Sequence, residues 1–470
     1  MGRGSLLTAL VERPGAIWLD TGAPEGQRAG SSYIAAEPAV WLRGRGQVLE
    51  ILPGPLGDRG WVDRIASADP ATGFAFDRLK AIQTRIRVPG LTELGGKGSF
   101  RGGLAGFFSY DLGREFESVP TELPTRSSDV PWEFVLGLYD EVLAVDGQTG
   151  ERRVFRLPGS ARRIDLHTPL LPVHLPDAPG AARAPEPEMS KEEHTSAVQA
   201  IRDHIAAGTI YQANLTLRFR APSTHPRAPI ATFLRLQRAN PAPFAAFLDL
   251  PGLALVSTSP ECFLALEPSG RVVSQPIKGT APRGVDLVHD TSLREQLLRS
   301  EKDRAELTMI VDLVRNDLGR VCALGSVSRA PELRGEAHPT VWHLVADVEG
   351  QMRPGYDALD LLRASFPPGS CIGAPKIRAM AVIDELEKSR RGPYTGAIGW
   401  LGADGSLGLS VAIRTLVFRE GEVSYGVGGG IVYDSDADQE WEEALLKGKA
   451  LAQALGAASM PLTSRLCAGN

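Results

Sequence analysis

Apolar positions along the chain change their spacing several times, and each change marks an element. In SKEEHTSAVQAIRDHIAAG (190–208) Val198, Ile201 and Ile205 recur at helical spacing. Ser190 and Glu193 stand three apart as a capping box and Gly208 supplies a stop, so this stretch reads as a helix. In TIYQANLTLRF (209–219) the spacing falls to two. Tyr211, Ala213, Leu215, Leu217 and Phe219 alternate with Gln212, Asn214, Thr216 and Arg218, which predicts a strand with Gln212 and Asn214 neighbours on its polar face. Further helices are expected around FAFDRLKAIQTRI (74–86) and at 291–318, 357–365, 375–388 and 438–456. Strands are expected at 253–258, 261–267, 271–277, 396–401, 408–418 and 422–427, with a hairpin turning at Glu420-Gly421. Nearer the start, the strand-like EVLAVDG and RRVFRLP follow a glycine-rich stretch, RGGLAGFFSYDLGREFE. Seven prolines between 158 and 188 forbid a regular element there and suggest a connector. The expected organisation is an N-terminal region over 1–157, a connector over 158–188 and a larger region over 189–460. Hairpins rather than regular strand–helix–strand units make the class α+β, and no internal repeat is visible.

Composition narrows the function. With 470 residues, 43% apolar and 23% charged, the chain has the composition of a soluble globular protein. A formal net charge of −5 and no basic cluster with interleaved aromatics argue against a nucleic-acid partner. Cys262, Cys322, Cys371 and Cys467 are scattered without a CxxC pair, which suits reduced thiols and a cytoplasmic protein. No long apolar span suggests a membrane segment.

Several residues invite chemistry. Arg414 stands in LGLSVAIRTLVF, an apolar strand pattern. A buried arginine needs an anion, either a protein carboxylate or a ligand's. The run Gly428, Gly429, Gly430 in GVGGGIV would let backbone N–H groups approach an anion, or it marks a bulge or tight turn. No GxxxxGK[ST] phosphate loop occurs. Two helices carry acids at one-turn spacing: Asp303 with Glu306, and Glu440 with Glu443, the latter followed by Lys447 four residues on. Each pair reads as a solvated helix face; together they suggest a site for Mg²⁺. His343 fits either a core position or a site. Lys278, in SQPIKGTAPRG, sits between a stiff Pro276-Ile277 pair and a permissive Gly279. A lysine amine with an ordinary pKa of about 10.4 must lose its proton before attacking carbon, and an apolar wall favours that loss. Glu261, in STSPECFLAL, is positioned along the chain to serve as a matching acid.

Taken in order, SPECFL, PIKGTAPRG, KDRAELTMIVDLVRNDLGRV, HLVADVEG, FPPGSCIGAPKIRAMAVIDELE, YTGAIGW, VAIRTLVF and GVGGGIVYDSDADQEWEEALLKGKAL resemble the chorismate-utilising enzymes. The resemblance is dense from about 190 to 456 and weaker before it, through GSSYIAAEP and GLAGFFSYDLGREFE. It implies two large antiparallel sheets packed as a sandwich with helices outside. Within the family, PIKGT rather than PIAGT is typical of members that aminate chorismate at C4, and Gln212 replaces the lysine that activates water in the isochorismate and salicylate synthases. The resemblance therefore implies covalent attack by Lys278 with Glu261 as acid. It further implies Mg²⁺ on Glu306, Glu443 and Glu440 with Asp303 in support. Substrate contacts would come from Arg414, Tyr394, Lys447, Thr280, His343, Gln212 and the glycines 428–430. Ammonia would come from a separate glutamine amidotransferase subunit. One departure is Cys371-Ile372, where relatives more often carry Ile-Thr.

Overall fold

Alternation along the strands sorts their side chains between two kinds of core. Ile17 and Leu19 of the Ile17–Asp20 strand, and Leu248 and Leu250 of Phe244–Leu250, share one core with Ala105 and Phe107 of Gly103–Phe108 and Ile398 of Ala397–Gly402. Their neighbours Trp18 and Phe247, and Leu104 and Phe108, turn the other way, under helices. Strands apolar on both faces must be covered on both sides. The result is a sandwich of two antiparallel sheets, one of eleven strands and one of ten among the described residues, with helices packed outside. This computed structural model describes residues 6–20, 30–57, 59–88, 91, 99–119, 130–160, 164–168, 178–330 and 333–456. Cys467 and connector residues 161–163 and 169–177 lie outside them.

Both sheets take strands from either side of the proline-rich segment. Ile17–Asp20 pairs with Phe244–Leu250 in the first sheet, and Gly103–Phe108 pairs with Ala397–Gly402 in the second. Outside the first sheet lie the helices Lys191–Ala206, Ala228–Ala239 and Ala437–Ala454; outside the second lie Ala75–Ile86, Glu301–Gly319 and Ala358–Ser365. The Ser190 capping box forms as expected, with Ser190 Oγ accepting from the Glu193 amide and Glu193 from that of Ser190. No helix among the described residues is long and apolar enough to cross a membrane.

Three expected elements are broken, and each break positions the site. The strand expected over 408–418 is two: Leu407–Val411 in the second sheet and Thr415–Arg419 in the first, with Ala412 to Arg414 carrying the chain across. An apolar run does not reveal that its halves serve different sheets. The strand expected over 271–277 ends at Gln275. After Pro276 the chain leaves as Ile277–Pro282 in a separate three-stranded sheet with Val341–Val345 and Arg334–Ala337. The helix expected over 291–318 is likewise two, Leu287–Arg299 and Glu301–Gly319. Ser300 has extended backbone, and its hydroxyl caps the second helix by accepting from the Asp303 amide.

Candidate active site

Of the places where the chain crosses between the sheets, two are neighbours, and each of these presents one functional side chain. Leu253–Ser259 belongs to the first sheet and Cys262–Leu266 to the second, so Pro260-Glu261 is one bridge; Ala412–Arg414 is the other. They are stitched together: the Val411 amide donates to the Glu261 carbonyl (3.1 Å) and the Thr258 amide to the Arg414 carbonyl (3.1 Å). Arg414 takes a left-handed backbone, φ 50°. That conformation is uncommon for a non-glycine residue and is held here by the strands on either side.

Arg414 pairs with no carboxylate among the described residues. Its Nη2 donates to His343 Nε2 at 3.3 Å, and burial lowers its pKa below the ordinary arginine value. A guanidinium so placed retains most of its capacity to bind an anion. His343 is held neutral, its pKa far below the usual value, first by burial and then by the charges of Arg414, His338 and Lys447. Since arginine only donates, Nε2 is the accepting nitrogen, and the proton on Nδ1 faces Thr280 Oγ1 at 3.1 Å.

Lys278 reaches this group on the Ile277–Pro282 strand, paired opposite Leu344. A bulge follows at Gly279, whose φ of 78° and close approach to Asp303 admit no side chain: a Cβ there would lie 2.9 Å from the Asp303 carboxyl. Lys278 is half-buried, and its charge acts on Glu261, Cys371 and Glu443. Burial pushes the Glu261 carboxyl up to about 7, against the opposing influence of a Ser370 hydrogen bond, Lys278 and the Ile277 amide. A carboxyl poised there exchanges its proton near neutral pH. Burial raises the Cys371 thiol to about 12, which leaves it unreactive.

Gly428 to Gly430 form neither bulge nor turn. They continue the Glu422–Ile431 strand in unbroken register against Gln212–Pro222, opposite Thr216, Leu215 and Asn214. The Thr216 amide donates to Glu387 and the Asn214 amide to Ile372, both away from the glycine strand. These are therefore the non-hydrogen-bonded pairs of the ladder, so Gly428 and Gly430 also turn their backbone groups outward. On that side the neighbouring strand has ended, its last pairing being Leu416 with Tyr425. Lys447 Nζ donates to the Gly428 carbonyl on this open edge (2.9 Å) and pairs with Glu443 at 2.7 Å.

The carboxylates gather only in part. Glu440 and Glu443 lie over Gly429, where a Cβ would sit 3.0 Å from Glu440 and 4.0 Å from Glu443. Burial raises Glu440, with Glu443 adding to the rise. For Glu443 burial is outweighed by Lys447, Lys302 and Lys278, which together hold it low. Asp303 faces Gly279, and Glu306, one turn on, makes no hydrogen bond or ion pair among the described residues. No three acidic, histidine or cysteine side chains among the described residues converge as metal ligands. Tyr394 is buried with its ring against Gly426, where a Cβ would lie 2.5 Å away.

The sequence reading did not single out Ser370, which bonds Glu261 directly, or the pair Glu387 and Arg391. Arg391 donates to both Glu387 oxygens (2.9 and 2.6 Å), to the carbonyls of Asn214 and Cys371 (2.8 Å each) and to Thr395 Oγ1 (3.3 Å). It ties three site-bearing segments together. Its spacing of four from Glu387 was the available signal.

Residues 58–453 match the chorismate binding enzyme family. An aminodeoxychorismate synthase component 1 of Salmonella typhimurium is 40% identical over 385 residues, covering 81% of this chain and 82% of that protein. An anthranilate synthase component 1 of Thermus thermophilus is also 40% identical, over 392 residues, with 81% and 82% covered. The crystal structure of anthranilate synthase component I from Streptococcus pneumoniae superposes with a TM-score of 0.75 at 27% identity, covering 91% of this chain and 93% of that one.

Proposed function

The chain belongs to the chorismate-binding enzymes, and from that premise we propose that it aminates chorismate at C4, giving 4-amino-4-deoxychorismate for p-aminobenzoate and folate synthesis. The observation that carries this reading is Lys278 itself, whose charge is felt at Glu261 and whose strand pairs with that of His343, the partner of an arginine that meets no carboxylate among the described residues. Chorismate is a dicarboxylate. Arg414 and the outward amides of Gly428 and Gly430 suit one of its anionic groups, with Thr280, Lys447 and Tyr394 around it. After passing its proton to Glu261, the neutral Lys278 nitrogen forms a bond to ring carbon C2 as the C4 hydroxyl departs, taking that proton from Glu261 to leave as water. Ammonia then bonds to C4, the electron pair of the C2–N bond returns to Lys278, and the surplus proton on the new amine restores Glu261.

Magnesium suits the donor set. Glu440, Glu443, Glu306 and Asp303 offer only hard oxygen ligands, and Gly429 leaves space beside two of them. When bound, it would supply positive charge for a substrate carboxylate. Ammonia would come from a glutamine amidotransferase subunit, in keeping with the component 1 names of the relatives, and the enzyme would work in the cytoplasm.

Incubation with chorismate, Mg²⁺ and ammonium tests the reaction. Aminodeoxychorismate is the expected product, and mass spectrometry without ammonium should find an adduct on Lys278. Fluorescent anthranilate, formed with no added lyase, would assign the chain to the other activity carried by its relatives. Full activity in Lys278→Ala would remove the covalent step.

A further inference from the structure

A small polar cavity adjoins Glu261. It offers about 10 Å³ to the centre of a water molecule, room for one, and its wall includes Glu261, Ser274, Asp317, Ser365 and Ser370. Of the residues given a role in the reaction, only Glu261 belongs to that wall, so the cavity meets the acid away from the substrate. Its polar groups are held in place but not fully paired. The Ser365 hydroxyl is buried and has no hydrogen-bond partner. Lys376 Nζ donates to Asp317 Oδ2 at 2.7 Å and to the Ser365 carbonyl at 2.9 Å, fixing both residues from behind. Burial raises the Asp317 carboxyl above its ordinary value, against the opposing charges of Lys376 and Arg320. Arg320 is half exposed and pairs with Glu117 at 3.0 Å, so solvent lies a short way beyond Asp317. Buried polar groups left unpaired are costly, and one water among a carboxyl, a carboxylate and a hydroxyl relieves that cost.

We propose that one water in this cavity carries protons from Asp317 to Glu261 and so recharges the acid between turnovers. This rests on the amination reading and deepens it. When the surplus proton on the new amine passes to Glu261, the cycle closes by itself. An aliphatic amine, however, holds its proton up to about pH 10, far more tightly than a carboxyl. Product that departs as the ammonium ion therefore takes the proton with it. Glu261 is then a carboxylate and Lys278 a neutral amine, one proton short of the next cycle. In the relay Asp317 takes up a proton from solvent and passes it to the water, which gives one of its own to Glu261. The balance is chorismate, ammonia and one proton in, and water and protonated aminodeoxychorismate out.

Ser365→Val tests this by filling the cavity, and it breaks no side-chain hydrogen bond because the hydroxyl makes none. In rapid-quench assays with chorismate, Mg²⁺ and ammonium, its first turnover should match the parent's, since Glu261 has equilibrated with solvent before mixing. Each later turnover should be at least about tenfold slower than the parent's. A side chain that only packs behind Glu261 would slow first and later turnovers alike. The double change Asp317→Asn with Lys376→Met removes the buried pair together and should give the same split. A crystal structure of the parent should show the water bonded to Glu261, and that of Ser365→Val should lack it. If later turnovers of both variants keep the parent's rate, or first turnovers fall as far as later ones, the relay is wrong. A parent structure without that water would also overturn it. Product identity is read in the same quench: anthranilate would overturn the amination reading, while the ratio of first to later turnovers still judges the relay.

Discussion

Glu261 shows how one residue bears opposite consequences for stability and catalysis. Its carboxyl is buried and titrates near 7 rather than at its ordinary 4.5. Between those values the folded protein keeps a proton that the unfolded chain has lost, so stability falls as pH rises across that window and levels off above it. At about pH 8 the buried charge costs about 3 kcal/mol. Glu261→Gln removes that cost, since the amide oxygen can still accept from Ile277. Its melting temperature should therefore exceed the parent's at about pH 8 and match it near about pH 5. In the parent, activity that needs the protonated acid should decline as pH climbs through about 7, and the Gln variant should lose turnover throughout. Melting curves at both pH values and a pH–rate profile check this; a variant less stable at the higher pH would contradict it. Lys278 and Arg414 were legible in the sequence because a cation in an apolar pattern is conspicuous. Ser370 and Asn214 were less so, since small polar residues acquire meaning only from what folds against them.

Among elements, the sequence revealed where strands and helices lie better than where they break. The capping box at Ser190 and the hairpin at Glu420-Gly421 are local, and both formed as read. The crossings at Pro260-Glu261 and Ala412–Arg414 are not local: they exist because two sheets meet there, and an unbroken apolar run hides them. Arg391 and Glu387, 3% and 5% exposed, tie Asn214, Cys371 and Thr395 together, and the Thr395 amide donates to the Ala412 carbonyl of the second crossing. Replacing Arg391 with Met leaves Glu387 charged near Tyr110, held only by the Thr216 amide among the described residues, and frees the carbonyls of Asn214 and Cys371. The expected loss is about 3–5 kcal/mol in urea denaturation, and the double change Arg391→Met with Glu387→Gln should recover part of it. A single-variant loss under about 1 kcal/mol would show that the pair does not hold the site together.

For the molecule as a whole, weaving settles what can be separated. The proline-rich segment invites the expectation that the C-terminal region from 189 onward stands alone, and the site residues do all lie beyond it. Pairing across the segment argues otherwise. Removing the first 188 residues strips Ile17–Asp20 from Phe244–Leu250 and Gly103–Phe108 from Ala397–Gly402, leaving two long, apolar sheet edges open. It also uncovers the inner core on Leu248, Leu255 and Ile398, which Phe107, Val135 and Tyr139 otherwise fill. The sequence could not show this, because strand pairing between distant segments leaves no trace in either one's periodicity. The full chain should therefore melt in a single calorimetric transition, and a fragment covering 189–470 should aggregate or lack the cooperative unfolding of the intact protein. If that fragment instead stayed monomeric, melted cooperatively and bound chorismate, the catalytic region would be an independent unit and the shared sheets an accessory to it.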